Sequence, residues 1–161
     1  MKHTDVCTIL GEGGADRDIL TRQNFDVNLR LLRTSRVYRG IVWACCAYLR
    51  YLAMTTREGY KKPHGFSGAN AGIPFRIIAL ANSTVMINPV VVDHSDERRV
   101  SMSNCGSLLL AKPIAIERWT HVSVEYYDIA GNLHEVDGYL PTVQHEIDHC
   151  DGVLITDRQV K

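Results

Sequence analysis

No apolar run in these 161 residues approaches the length needed to cross a bilayer, and neither sign of charge is in excess, with 18 Lys and Arg against 18 Asp and Glu. The first shortage excludes a membrane-spanning protein, and the second removes any argument from overall charge for nucleic-acid or membrane partners. Met1 to Asp5 is polar, so no leader is expected. Aromatic residues are only 7%, and no repeat, low-complexity tract or linker interrupts the chain. Five cysteines, an odd number, argue against a disulfide framework and for a reducing compartment, with the cytoplasm as the default. What is present, 45% hydrophobic residues over a typical domain length, predicts a single domain over residues 1–161.

The most informative stretch is Gln144-His145-Glu146-Ile147-Asp148-His149. Residues four apart on a helix are neighbours, so His145 and His149 can reach one divalent ion with the Glu146 carboxylate beside it. Pro141 and Gly152 bracket a short helix, since proline fits the first turn and glycine the C-terminal cap. Seven His and seven Glu in 161 residues would give a chance His-Glu-x-x-His in roughly one such chain in eighty, so the bland alternative is a surface helix that carries two histidines.

A catalytic centre of this kind usually takes three protein ligands and keeps one position open. Only twelve residues follow His149, which sends the search for a third donor upstream. Cys45 and Cys46 lie in an apolar helical pattern and are expected to pack as small hydrophobes. Cys7 has no partner pattern, and Cys150 points about 100° away from its neighbour His149. Cys105, in the polar turn Ser103-Asn104-Cys105-Gly106-Ser107, is the expected third ligand.

On these residues the chain resembles the peptide deformylases, whose three motifs are G-x-G-x-A-A-x-Q, E-G-C-L-S and Q-H-E-x-D-H-L-x-G. The third is nearly complete as Gln144 to Gly152, the second survives in part as Ser103 to Ser107, and the first is more eroded as Gly65-Phe66-Ser67-Gly68-Ala69-Asn70. Between them the likeness runs through Gly72 to Ile78, Ile87-Asn88-Pro89 and Val122 to Asp128, covering roughly residues 60 to 158. The resemblance implies a metal-dependent hydrolase that removes the N-formyl group from the initiator methionine of nascent polypeptides and releases formate. It implies Fe²⁺ held by Cys105, His145 and His149, with Zn²⁺ or Ni²⁺ as alternatives. Glu146 is implied as general base and then acid, and the Gly106 N–H and the Asn70 side chain as oxyanion donors. Gly65, Phe66 and Thr142 are expected to receive the methionine side chain, and nascent chains at the ribosome are the expected partners, with no membrane and no specific nucleic acid.

Several positions depart from the family pattern. Asn70 is one methylene shorter than the motif Gln, a shortfall of about an ångström that can cost on the order of a hundredfold in rate. Ser103, Asn104 and Gly106 replace Glu, Gly and Leu, and Pro63 stands where the first glycine is expected. Two alternatives therefore stand beside the leading function: a deformylase-like protein with another acyl substrate or no turnover, and a structural metal clip closed by Cys150 or Asp151. The chain stops at Lys161 without the C-terminal helix of many bacterial deformylases, so ribosome contact through such a helix is not expected.

The fold class expected is α+β, with antiparallel sheets wrapped around a central metal-binding helix and a long N-terminal helix outside. After a loop at Gly11 to Gly14, that helix is predicted from a cap at Asp26 or Asn28 to about Thr56, with a buried stripe at Val27, Leu31, Tyr38, Ile41, Cys45, Tyr48 and Leu52. Its other face holds Arg30, Arg33, Arg36 and Arg39, most often a solvated run, with a weak hold on RNA as the minor alternative. A polar connection spans Thr55 to Pro63. Strands are predicted at 76–80, 85–87, 90–92, 107–110, 114–116, 122–127 and 133–136, with turns at Asn88-Pro89 and Gly131-Asn132. His64 is expected in an exposed loop, His3, His94, His121 and His134 carry no predicted role, and Asp148 is expected to pair with Arg118.

Overall fold

Asn28 caps the helix at Leu29–Thr34, accepting the Leu31 N–H at 3.0 Å, and Ser35 opens the next by accepting the Tyr38 N–H at 3.2 Å. The computed structural model describes residues 19–55, 64–108, 110 and 112–160. The predicted loop at Gly11 to Gly14, His3, Cys7 and residues 56–63 of the polar connection, Pro63 included, fall outside them. In place of one long helix there are two, α1 at Leu29–Thr34 and α2 at Arg36–Met54, because the extended backbone of Ser35 ends the first and caps the second.

The buried stripe of α2 also differs from the prediction. Val42, Cys46, Leu49 and Ala53 turn inward, whereas Leu31, Ile41 and Tyr48 are exposed. With apolar residues nearly all round the helix, spacings of three and four fit more than one face, and the break at Ser35 resets the phase.

Among the described residues seven strands follow: β1 Gly65–Ser67, β2 Ile77–Leu80, β3 Val85–His94, β4 Arg98–Ser103, β5 Ile114–Trp119, β6 Val122–Tyr127 and β7 Leu133–Gly138. They form a five-stranded antiparallel sheet in the order β1-β2-β3-β6-β7 and a two-stranded ribbon of β4 and β5. The predicted turn at Asn88-Pro89 is instead an irregularity inside β3, where the register shifts between Ile87 and Val90. Asn88 adopts φ 51°, a conformation asparagine tolerates better than most residues, and its amide bonds both the N–H and the carbonyl of Val27 at 2.7 and 2.9 Å. Of the predicted strand at 107–110, the described residues Ser107, Leu108 and Leu110 are not in a strand; Ser107 and Leu108 turn within the connection between β4 and β5. Strand β4 escaped prediction because Arg98-Arg99-Val100-Ser101-Met102-Ser103 is too polar to read as one.

Alternation along the strands divides the core in two. Phe66, Ile77, Ala79 and Ile87 pack against α2, while Ile78, Met86, Val122 and Val124 pack against the helix α3 at Pro141–Cys150 through Val143, Ile147 and Cys150. Fully burying each such Ile or Val is worth about 1.5–3 kcal/mol, so these two clusters hold both helices to the sheet. Helix α3 is thus fixed on one face and α2 on the other.

Candidate metal centre

Helix α3 begins with Pro141 in its first turn and is followed by Gly152 at φ 74°, as its sequence pattern predicts. Only glycine suits that cap, since a Cβ there would stand 2.4 Å from the Thr21 carbonyl oxygen. Between these ends His145 and His149 lie one turn apart, their ring centroids separated by 4.7 Å. The connection after β4 brings Cys105 against them, with Sγ 3.4 Å from His149 Nε2.

The donor atoms of Cys105, His145 and His149 all lie within 4.8 Å of one another. Around one tetrahedral cation, bonds of about 2.3 Å to sulfur and 2.0 Å to nitrogen would set such donors roughly 3.5 Å apart. One thiolate and two imidazoles in this spacing fit a divalent metal, and among the described residues no fourth His, Cys or carboxylate joins them. Cys150 packs in the core, and Asp151 is paired with Arg76, so neither candidate for a closing ligand reaches the cluster.

Protonation states in the cluster follow from burial. Removal from water, helped by the charges of His149 and Arg118, brings His145 down to about 3; burial, opposed by Asp148 and helped by Arg118, takes His149 to about 4, so both rings are neutral donors at neutral pH. Burial pushes the Cys105 thiol up to about 11 and the Glu146 carboxyl up to about 8, in the latter case against the opposing pull of Ser67 and Arg118. Glu146 is almost fully buried, and its Oε2 has no hydrogen-bond partner among the described residues.

A cleft of about 520 Å³ opens beside the cluster, with Gly65, Gly106, Thr142, His145 and Glu146 in its wall. Strand β1 passes so close that a Cβ on Gly65 would lie 3.0 Å from both Glu146 Cγ and Thr142 Cγ2. Phe66 is not in that wall: the next residue of a strand points to the opposite face, and its ring enters the core beneath α2. His64 is exposed, as expected, and also edges the cleft. Asn70 is buried behind the wall, its Oδ1 accepting from the Ser67 N–H at 2.8 Å and hydroxyl at 2.6 Å while its Nδ2 donates to Ser107 Oγ at 2.7 Å. The amide therefore ties β1 to the loop that carries Cys105.

The expected pair of Arg118 and Asp148 forms, buried at 5% and 8% side-chain exposure. Sequence reasoning missed Arg158, which also reaches Asp148, with Nη2 2.8 Å from Oδ1. It missed Ser67 and Ser107 as braces of Asn70 too; Ser107 had a signal, being the retained serine of the second motif, whereas Arg158 had none. Breaking a buried ion pair from one side leaves an uncompensated charge and costs about 3–5 kcal/mol. Asp148→Asn is expected to lower stability by that amount in urea denaturation, and Arg158→Gln, at a partner position 38% exposed, by less than about 1 kcal/mol. Equal losses would show that the Arg118 pair is not the main anchor of α3.

The polypeptide deformylase family model matches residues 47–161. A peptide deformylase of Finegoldia magna is 39% identical over 77 residues, covering 46% of this chain and 47% of that protein, and one of Rhizobium meliloti is 37% identical over 106 residues, covering 58% and 59%. The chain thus spans about half the length of the curated relatives it matches. Among solved structures, a Plasmodium falciparum peptide deformylase in complex with inhibitor superposes with a TM-score of 0.69 at 26% identity, covering 89% of this chain and 84% of that one. With Cys105 meeting the two histidines of the third-motif helix and a family match across more than half its length, the chain belongs to the polypeptide deformylase family.

Proposed function

We propose that this protein removes the N-formyl group from the initiator methionine of nascent polypeptides in the cytoplasm, releasing formate, as a single domain over residues 1–161. The observation that carries the proposal is the meeting of three metal donors with a buried carboxyl at the wall of an open cleft. Cys105, His145 and His149 hold the ion, Fe²⁺ as resident with Zn²⁺ or Ni²⁺ accepted, and when bound it supplies the positive charge that acidifies a water and polarises the formyl oxygen. Glu146 takes a proton from the attacking water and returns it to the departing amine nitrogen, which cannot leave unprotonated. Its raised pKa suits the second duty, because a carboxyl poised near neutrality both accepts and releases a proton.

Charge that develops on the formyl oxygen is met by the Gly106 N–H and by the second Nδ2 hydrogen of Asn70, the first being spent on Ser107. Gly65 and Thr142 flank Glu146 and meet the methionine side chain. The substrate is an N-formyl-methionyl peptide, delivered as a nascent chain at the ribosome.

A second proposal, action on a different acyl group or loss of turnover, is favoured by the engagement of Asn70 with Ser67 and Ser107. One assay separates the two. Protein purified anaerobically and loaded with Fe²⁺ or Ni²⁺ is expected to release formate from formyl-Met-Ala-Ser. Full metal occupancy with no formate would defeat the first proposal and leave the second.

A further inference from the structure

Helix α2 carries two apolar stripes. The inner one, Val42, Cys46, Leu49 and Ala53, is buried against the sheet. An outer one, Val37, Ile41, Ala44, Tyr48 and Tyr51, runs at spacings of four and three on the opposite side. Among the described residues nothing covers it: Val37 is 75% exposed, Ile41 49%, Tyr51 57%, and the flanking Trp43 61%. Single exposed hydrophobes need no explanation, whereas a contiguous row of them on one helix marks an interaction surface.

Charge identifies the partner. From Val27 to Thr55 there is no Asp or Glu, while Arg30, Arg33, Arg36, Arg39 and Arg50 are all exposed, in a chain whose overall charge is zero. Helical geometry sets Arg36, Arg39 and Arg50 along one side of the outer stripe. A second copy packed on this face would bring six arginines together without one acidic partner from this helix. Trp43 stands in line with Arg36 and Arg50, seven residues from each, but single-stranded RNA wants several stacking rings among its basic groups, and the rest of the exposed face is the separate apolar row.

An anionic bilayer answers both features. Valine and isoleucine enter the acyl boundary, Trp43, Tyr48 and Tyr51 sit at headgroup level, and the arginines extend their guanidinium groups to lipid phosphates. We propose that the outward face of α2 docks this protein on the surface of an anionic lipid bilayer. Because α2 and α3 pack on opposite faces of the sheet, the bound orientation turns the metal centre away from the lipid. The proposal departs from the expectation of no membrane partner, which rested on net charge and took the arginine run as a solvated face.

The test uses the full chain, sedimented with vesicles of phosphatidylcholine alone or mixed with phosphatidylglycerol. Binding is expected only to the mixed vesicles, weakened by 0.5 M salt, with a blue shift of tryptophan emission that Trp43→Phe removes although Trp119 remains. Near-surface arginines contribute about fivefold each, so combined Arg36→Gln, Arg39→Gln and Arg50→Gln should weaken partitioning about a hundredfold. Val37→Ser with Tyr51→Ser should abolish the blue shift, with circular dichroism unchanged. No binding to the anionic vesicles, or binding that both variants leave intact, would overturn the proposal. So would a dimer or a bound RNA that the Val37 and Tyr51 variant disrupts in the absence of vesicle binding.

Discussion

Glu146→Gln in the Ni²⁺-loaded protein is expected to lower kcat toward formyl-Met-Ala-Ser by about a thousandfold or more, with one equivalent of metal retained. A positioned general acid or base is commonly worth 10²–10⁴-fold, and in the proposed reaction one group performs both transfers, so the loss should lie toward the upper end. Glutamine keeps the shape that fits against Gly65 and Thr142, where a Cβ would already be 3.0 Å from the Glu146 side chain, so the cleft survives the exchange. Burying a neutral amide in place of a carboxyl that burial already pushes up to about 8 removes no charge the fold depends on. Substrate binding should therefore be nearly unchanged, and the effect should appear in kcat and kcat/KM equally. Steady-state formate release checks it, and a kcat within tenfold of the parent would remove Glu146 from proton transfer.

The legibility of the centre in the sequence has a physical cause. His145, Glu146 and His149 are set by one helix period, and local geometry alone brings them together. Cys105 lies 44 positions from His149 along the chain, and its polar turn singled it out once Cys45 and Cys46 were assigned to an apolar helix, Cys150 to the wrong side of its own helix, and Cys7 to no pattern. Asn70 was found through the motif, but its partners were not. Ser67 and Ser107 approach it from separate elements, and the bonds depend on how β1 meets the β4–β5 connection, which no spacing encodes.

The same distinction runs through the fold. Strand β6 alternates apolar and polar residues, and Gly131-Asn132 marks the turn into β7, so both were visible. Helix α2 existed in the pattern, yet its phase did not, since a residue run apolar on two faces leaves the choice to whatever sheet it meets. Phe66 shows the reverse error: assigning it to the pocket beside Gly65 ignored that adjacent residues on a strand face opposite sides, a rule the sequence would have allowed once β1 was recognised.

Cys105→Ser should cost more in metal affinity than any change outside the cluster. Loss of a residue that merely orients a ligand costs about 10–100-fold, and removing the only thiolate takes away both a bond and the negative charge that offsets the cation, so a loss beyond a thousandfold is expected. The proton balance adds a sharper measurement. With His145 at about 3 and His149 at about 4, both rings are already neutral at pH 7 and release nothing on binding. The thiol at about 11 must surrender its proton, and Glu146 at about 8 surrenders most of one as the cation draws it toward carboxylate. Binding to the parent should thus release about two protons at pH 7, and about one in either Glu146→Gln or Cys105→Ser. The bound state holds fewer protons, so affinity rises with pH, by about a hundredfold per unit near neutrality for two protons. Calorimetric titration with Zn²⁺ in buffers of different ionisation heat reads the count directly, and an unchanged count in Cys105→Ser would mean that the sulfur is not a ligand.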